Sequence, residues 1–199
     1  MKLTKYLFAA TLVLMASVNA NASVIFQDNF DAENGGNGVL NYTRFANWTT
    51  SDGTVDLIGN GYYDFLAGNG LYIDMDGSTG DAGKMTSIAL NLAPGTYTLS
   101  FELAGNRRNG ATEGVEVLVD MGSLFSNTYS LNKNDPFQLY TETFTVLTAT
   151  TTSISFEGAG GDNIGMLLDD VTLTAVSTPA ALSLLGLGLV GLGFSRRQK

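Results

Sequence analysis

The chain of 199 residues has no cysteine, no histidine, three prolines, and ten basic residues against nineteen acidic ones. Without cysteine there is no disulfide, no thiolate nucleophile and no Cys-bound zinc or iron–sulfur cluster. Without histidine there is no Ser-His-Asp triad, no imidazole base and no His metal ligand. Three kinds of function survive: hard-cation binding by carboxylates, carboxylate acid–base chemistry, and binding without chemistry.

The two ends read as addresses rather than fold. Lys2 and Lys5 precede a mostly apolar run from Tyr6 to Val18, and Ala20-Asn21-Ala22 supplies a small-x-small cleavage pattern. Residues 1–22 are therefore expected to be a secretory signal helix cut after Ala22, since the apolar run falls short of the ~20 residues a membrane span needs. At the other end, Ala180 to Phe194 carries no charge and is followed by Ser195-Arg196-Arg197-Gln198-Lys199. An apolar helix of that length covers about 22 Å, short of a ~30 Å hydrocarbon core. Gly186, Gly188, Gly191 and Gly193 weaken it further. The basic cluster stays cytoplasmic under the positive-inside rule, which leaves the body outside.

This tail, Val176-Ser177-Thr178-Pro179-Ala180 followed by the apolar span and the arginines, resembles the PEP-CTERM sorting signals of Gram-negative bacteria. The Glu and second Pro of the usual motif are absent. The resemblance implies transient anchoring in the inner membrane and processing near Thr178 and Pro179 by a protease of exosortase type. It also implies delivery to the cell surface or extracellular matrix. With both ends set aside, residues 23–176 hold five basic and nineteen acidic side chains, a net charge of −14. That balance disfavours nucleic acid, which needs a basic face, and fits divalent cations, neutral glycans or basic partners.

The body, residues 23–176, reads as one all-β domain. Alternation with period two dominates. Tyr97, Leu99, Phe101 and Leu103 fall opposite Thr96, Thr98, Ser100 and Glu102, and shorter alternating runs follow at 115–120, 143–146, 153–156 and 171–175. Earlier strand candidates are Val24–Phe26, Phe45–Thr49, Thr54–Ile58, Leu71–Met75 and Met85–Leu92. Asp52-Gly53, Asp76-Gly77, Ala93-Pro94-Gly95 and Gly158–Gly161 supply turns between them. Nine or ten short strands point to a two-sheet antiparallel jelly-roll sandwich, with an eight-stranded barrel as the alternative.

The order of landmarks resembles the galactose-binding-like jelly rolls of secreted bacterial proteins, including the choice-of-anchor and DUF642-like group. The pieces are Asn29-Phe30-Asp31, Trp48, Gly53 to Ile58, Gly70 to Gly77, Leu92 to Tyr97, Phe101 to Asn106, and Leu168-Asp169-Asp170-Val171. The resemblance implies a structural Ca²⁺ shared by Asp31, just after the first strand, and Asp169, in the last. Asp28, Glu33 and backbone carbonyls stand ready to complete its shell of 6–8 oxygens. The plainer reading is that Asp169, expected to face inward with Val171 and Leu173, hydrogen-bonds loop N–H groups.

Three further features admit two readings each. Asp74-Met75-Asp76-Gly77-Ser78-Thr79-Gly80-Asp81 faintly resembles a calcium loop, but its Gly and Glu positions are wrong for an EF-hand and an Asp-Gly hairpin turn accounts for most of it. Tyr62, Tyr63, Asp64 and Phe65, with Asn106, Arg107, Arg108 and Asn109, offer the rings and forked donors that sugar recognition uses. The same side chains also serve as a plug at one end of a sandwich. Trp48 reads as core. A pair of carboxylates for glycoside hydrolysis requires a groove that a body with no long insertion scarcely provides. The functional expectation is a secreted, non-catalytic module that associates with extracellular polysaccharide. A structural matrix protein without a specific small ligand is the alternative, followed by a small carboxylate glycosidase.

Overall fold

Alternate burial organises the strands. In β7 (Gly95–Ala104) Tyr97, Leu99, Phe101 and Leu103 are buried, while Thr96, Thr98, Ser100 and Glu102 are partly open. The computed structural model describes residues 22–108 and 115–176, and Ser23–Ala175 forms one compact unit. β7 pairs antiparallel with β10 (Gln138–Val146) along nine residues. It continues through β13 (Leu167–Val176) and β4 (Leu71–Asp74) to β3 (Asp56–Gly59), and β1 (Ser23–Asp28) adds to β13 to give six strands. The facing sheet runs β2 (Trp48–Ser51), β5 (Lys84–Ser87), β12 (Ser155–Gly158), β8 (Val115–Asp120), β9 (Ser126–Leu131). A ribbon of β6 (Leu90–Leu92) and β11 (Thr150–Thr152) stands beside them.

The two sheets are separate, as in a jelly-roll sandwich and unlike a closed barrel. Aromatic rings bridge the layers. Phe101 meets Phe156 edge-on with centroids 5.4 Å apart, and Trp48 lies 5.8 Å from Phe156 and 5.3 Å from Phe26. Such contacts add to burial because ring edges are positive and ring faces negative. Trp48 is core, and its Nε1–H donates to Asp28 Oδ2 at 3.0 Å.

Two local expectations fail, and one strand carries no sequence signal, each for a physical reason. Met85–Leu92 is not one strand. The Ser87 N–H donates to the Ile154 carbonyl at 2.8 Å, and the Ser87 hydroxyl accepts the Ile154 N–H at 2.9 Å. This exchange ends β5, and the chain turns into the separate ribbon. β9 was not anticipated, because Ser126–Leu131 buries only Tyr129 and Leu131. Asp76-Gly77 does not close a hairpin, since β4 and β5 belong to different sheets. Segment 75–83 crosses between them and contains a turn in which the Gly80 N–H meets the Gly77 carbonyl at 3.1 Å.

β3 and β4 are buried on both faces. Leu57, Leu71 and Ile73 enter the main core, while Ile58 and Tyr72 form a second cluster with Leu66, Ala104 and Leu167. Loops therefore cover the outer face of the six-stranded sheet at this end. No helix among the described residues is long and apolar enough to cross a membrane. Residues 1–21, expected to be a signal helix, Asn109, and the expected sorting tail with Thr178 and Pro179 lie outside the described residues; Ala22 is exposed.

Candidate functional site

Two depressions lie on the outer face of the six-stranded sheet. The first follows from a change of partner along one edge of β13. Leu167 and Leu168 pair with β4, whereas Val171 to Ala175 pair with β1. Asp169 and Asp170 fall in the seam, and Asp170 takes a left-handed conformation, φ 49°. This inserts one residue into the alternation, as a bulge does. Leu168 and Val171, three apart, both enter the main core. Asp169 is thereby rotated out of the frame of Val171 and Leu173, where simple alternation placed it, and lines a polar cleft with Glu102 of β7.

Asn29 and Asp31, just after β1, and Gly68 to Gly70, just before β4, complete that cleft. Asp31 Oδ1 accepts the Leu71 N–H at 2.8 Å and Oδ2 accepts the Asn29 amide at 2.9 Å. Gly70, at φ 74°, leaves room for this carboxylate; a Cβ there would stand 2.0 Å from Asp31 Oδ1. Asp169 is 4% exposed, and its Oδ1 accepts the Asp170 N–H at 2.8 Å. Burial, aided by the charges of Asp170, Asp31 and Glu102, pushes its carboxyl up to about 8. Burial and Asp170 also raise Glu102. Asp28 and Glu33 are placed elsewhere. Asp28 accepts from Trp48, Asn47 and the Phe30 N–H. Glu33 is buried and takes the Ala46 N–H at 2.8 Å and the Tyr42 hydroxyl. Among the described residues no three acidic side chains are gathered closely enough to hold a metal by themselves.

The second depression, about 340 Å³, lies over β3 and β4. Asp56, Ile58 and Asp74 form its floor, and Tyr63, Phe65, Arg108 and Asn163 its walls. The Arg108 guanidinium donates to the Asn163 backbone carbonyl and, at 3.1 Å, to its side-chain oxygen. It also rests over the Phe65 ring, 5.9 Å from the centroid, within cation–π reach. Tyr63 is 56% exposed and braced edge-on by Tyr62 at 4.9 Å.

The floor acids are cross-strand partners, Asp56 opposite Asp74. Each is saturated with donors. Asp56 accepts from the Asn41 N–H and from both N–H and hydroxyl of Ser78. Asp74 accepts the Gly165 N–H at 2.8 Å, the Asp76 N–H at 3.2 Å and the Asn106 amide at 2.7 Å. Burial still pushes Asp74 up to about 7 despite these donors.

Of the residues proposed from sequence for a ligand, the structure brings Tyr63 and Arg108 to one cleft, with Tyr62 behind. Asp64 is spent on the Gly61 N–H and the Tyr72 hydroxyl, whose own ionisation burial pushes up to about 12. Asn106 is fully buried and holds Asp74 to the Gly165 carbonyl. Arg107 is exposed, in a left-handed conformation, and its N–H binds the Lys133 carbonyl. Sequence reasoning missed Asn163, Ser78, Asp56 and Asp74 as cleft residues. A carboxylate in each of two strand candidates, Thr54–Ile58 and Leu71–Met75, was the one available signal.

No family model matches the chain, and no curated protein does. Solved structures do match in fold. The K3 cleaved adhesin domain of Lys-gingipain from Porphyromonas gingivalis aligns with a TM-score of 0.50 at 19% identity, covering 77% of this chain and 99% of that one. A xylan-binding domain from Paenibacillus barcinonensis aligns at 0.46 and 12% identity, over 80% and 98% of the two chains. The C-terminal carbohydrate-binding module of a marine laminarinase from Zobellia galactanivorans aligns at 0.44 and 14%, over 69% and 99%. The adhesin domain and this chain share the β-sandwich architecture.

Proposed function

We propose that the protein is an exported, non-catalytic module that associates with extracellular polysaccharide through the cleft over β3 and β4. The observation that carries this reading is the wall of Tyr63, Phe65 and Arg108 around a floor whose acids are already saturated. An exposed ring stacks on the apolar C–H face of a sugar, and a guanidinium fixed by Asn163 offers its remaining N–H groups to hydroxyls. Asp56 and Asp74 have backbone and side-chain donors on their oxygens, which suits a structural floor.

The polar cleft at Asp31 and Asp169 fits the calcium ion that the jelly-roll resemblance implies. Its lining is oxygen-bearing, and glycine stands where a Cβ would displace Asp31. Asp31 and Asp169 would hold it, with main-chain carbonyls and water completing the shell. A bound ion there supplies positive charge to Asp169 and ties β13 to the exit of β1 and the entry of β4. Asp28 and Glu33 play no part in this version of the site. Export by residues 1–22, cleavage after Ala22, and inner-membrane anchoring and sorting through Thr178, Pro179 and the apolar tail complete the proposal for a Gram-negative cell surface.

Affinity electrophoresis of the full chain through gels containing soluble polysaccharides tests the reading. At least one glycan is expected to retard the parent chain, and Tyr63→Ala with Arg108→Ala is expected to migrate freely. Mobility unchanged by every neutral and acidic polysaccharide would favour the matrix-protein alternative.

A further inference from the structure

The crossing segment 75–83 carries a buried charge that neither cleft uses. Asp76 is 0% exposed, and neither of its carboxylate oxygens has a hydrogen-bond partner. It sits where this segment meets loop 158–165. Gly165 packs so tightly there that a Cβ would lie 2.1 Å from the Asp76 nitrogen, and a Cβ on Gly80 would lie 2.7 Å from the Asp162 carbonyl oxygen. The two loops are thus locked at both ends of a short seam, with Asp76 between.

Among the described residues, the charges that act on this carboxylate are acidic. Burial, joined by the charges of Asp162, Asp56 and Asp81 and only partly offset by the approaching Asp162 N–H, pushes it up to about 6. Asp56 is spent on Asn41 and Ser78, and Asp74, next but one along β4, on Asn106, Gly165 and the Asp76 N–H. Among the described residues the only ion pair is Lys84–Glu157, and the Arg108 guanidinium is taken by Asn163. An ionised carboxylate removed from water without a partner is strongly unfavourable, so such groups stay neutral or coordinate a cation.

We infer that the seam between segment 75–83 and loop 158–165 is a divalent-cation site, separate from the Asp31–Asp169 cleft, with Asp76 as its buried ligand and Asp162 at its rim. Calcium is the cation that fits, because it accepts main-chain carbonyls and water beside one or two carboxylates and tolerates irregular geometry. Three converging carboxylates are not required. Main-chain carbonyls and water would complete the shell, and Asp81 adds charge from the surface. Bound there, the ion would pin the crossing between the two sheets to the loop that feeds β13.

The test is calcium uptake by the full chain, stripped with chelator and followed by equilibrium dialysis against ⁴⁵Ca²⁺. Asp76→Asn is expected to bind one equivalent fewer than the parent chain. Asp162→Asn, on an exposed loop, keeps an acceptor for the Ile164 N–H and is expected to weaken that same equivalent by about tenfold. Asp169→Asn is expected to leave this equivalent intact, so the two sites fail or stand separately. If Asp76→Asn does not fold, Asp162→Asn decides alone. Uptake and affinity unchanged in the Asn variants at 76 and 162, or no uptake by the parent chain, would overturn the inference.

Discussion

Calcium-free protein is expected to become less stable as the pH rises, the reverse of ordinary acid denaturation. Asp169 ionises near 3.8 when exposed and near 8 in the folded, metal-free domain. Between those values the native state holds a proton that the unfolded state has released, so unfolding free energy falls with pH. The contribution is intact below about pH 4 and is lost as pH climbs toward 8. A displacement of about four units at ~1.4 kcal/mol each is on the order of 5 kcal/mol, a third or more of what a typical domain possesses. Asp74 and Asp76 act in the same sense, with windows closing near 7 and 6. With a urea slope of about 2 kcal/mol/M, Asp169 alone moves the midpoint down by a little under ~2 M between pH 5 and pH 8. Urea titrations in chelator across that range measure it. Added calcium is expected to flatten the dependence, because the ion replaces the proton. A chelated midpoint equal at both pH values, or higher at pH 8, would refute the placement of these acids in dry surroundings.

Other outcomes follow from single contacts. Phe156→Ala removes a fully buried ring that touches both Phe101 and Trp48, and is expected to cost about 3–5 kcal/mol in chemical denaturation. Gly70→Ala and Gly68→Ala make a matched pair. Both have positive φ, but only the former drives a Cβ into Asp31, so thermal melts should show a small loss for Gly68→Ala and a larger one, with the calcium response gone, for Gly70→Ala. Tyr63→Ala is expected to lower polysaccharide affinity by about tenfold with an unchanged melting temperature, since the ring is mostly exposed and its loss corresponds to about 1 kcal/mol of stacking.

What the sequence made legible is what depends on period-two burial. β7, β10 and the 171–175 stretch of β13 carry clean alternation, and the three strands are neighbours in one sheet. Trp48 and the inward rings were readable for the same reason. The failures lie where tertiary context overrides alternation. Asp170 adds a residue to β13 through a left-handed backbone, which no pattern of side chains announces, and Asp169 changes face as a result. β3 and β4 are covered on the outside by loops 38–42 and 60–66, so their outward residues are as buried as their inward ones. Asp28 and Glu33 look like free acids in the chain and prove to be acceptors for Trp48 and Ala46, partners twenty and thirteen residues away. The Asp-Gly pair at 76–77 carries the signature of a tight turn, and only the assignment of β4 and β5 to different sheets shows that it is a crossing.

The placement of β13 sets an order of events. It is the strand against which β7, β4 and β1 all pair, yet it comes after every one of them in the chain. A growing polypeptide that has not yet emerged past residue 167 carries three strands with open hydrogen-bonding edges and no common neighbour, and such edges do not hold a fold. The domain therefore closes late, once nearly its whole length is free. Passage through a narrow pore as an extended thread, with assembly on the far side, is the route that this wiring accommodates without a struggle against premature structure.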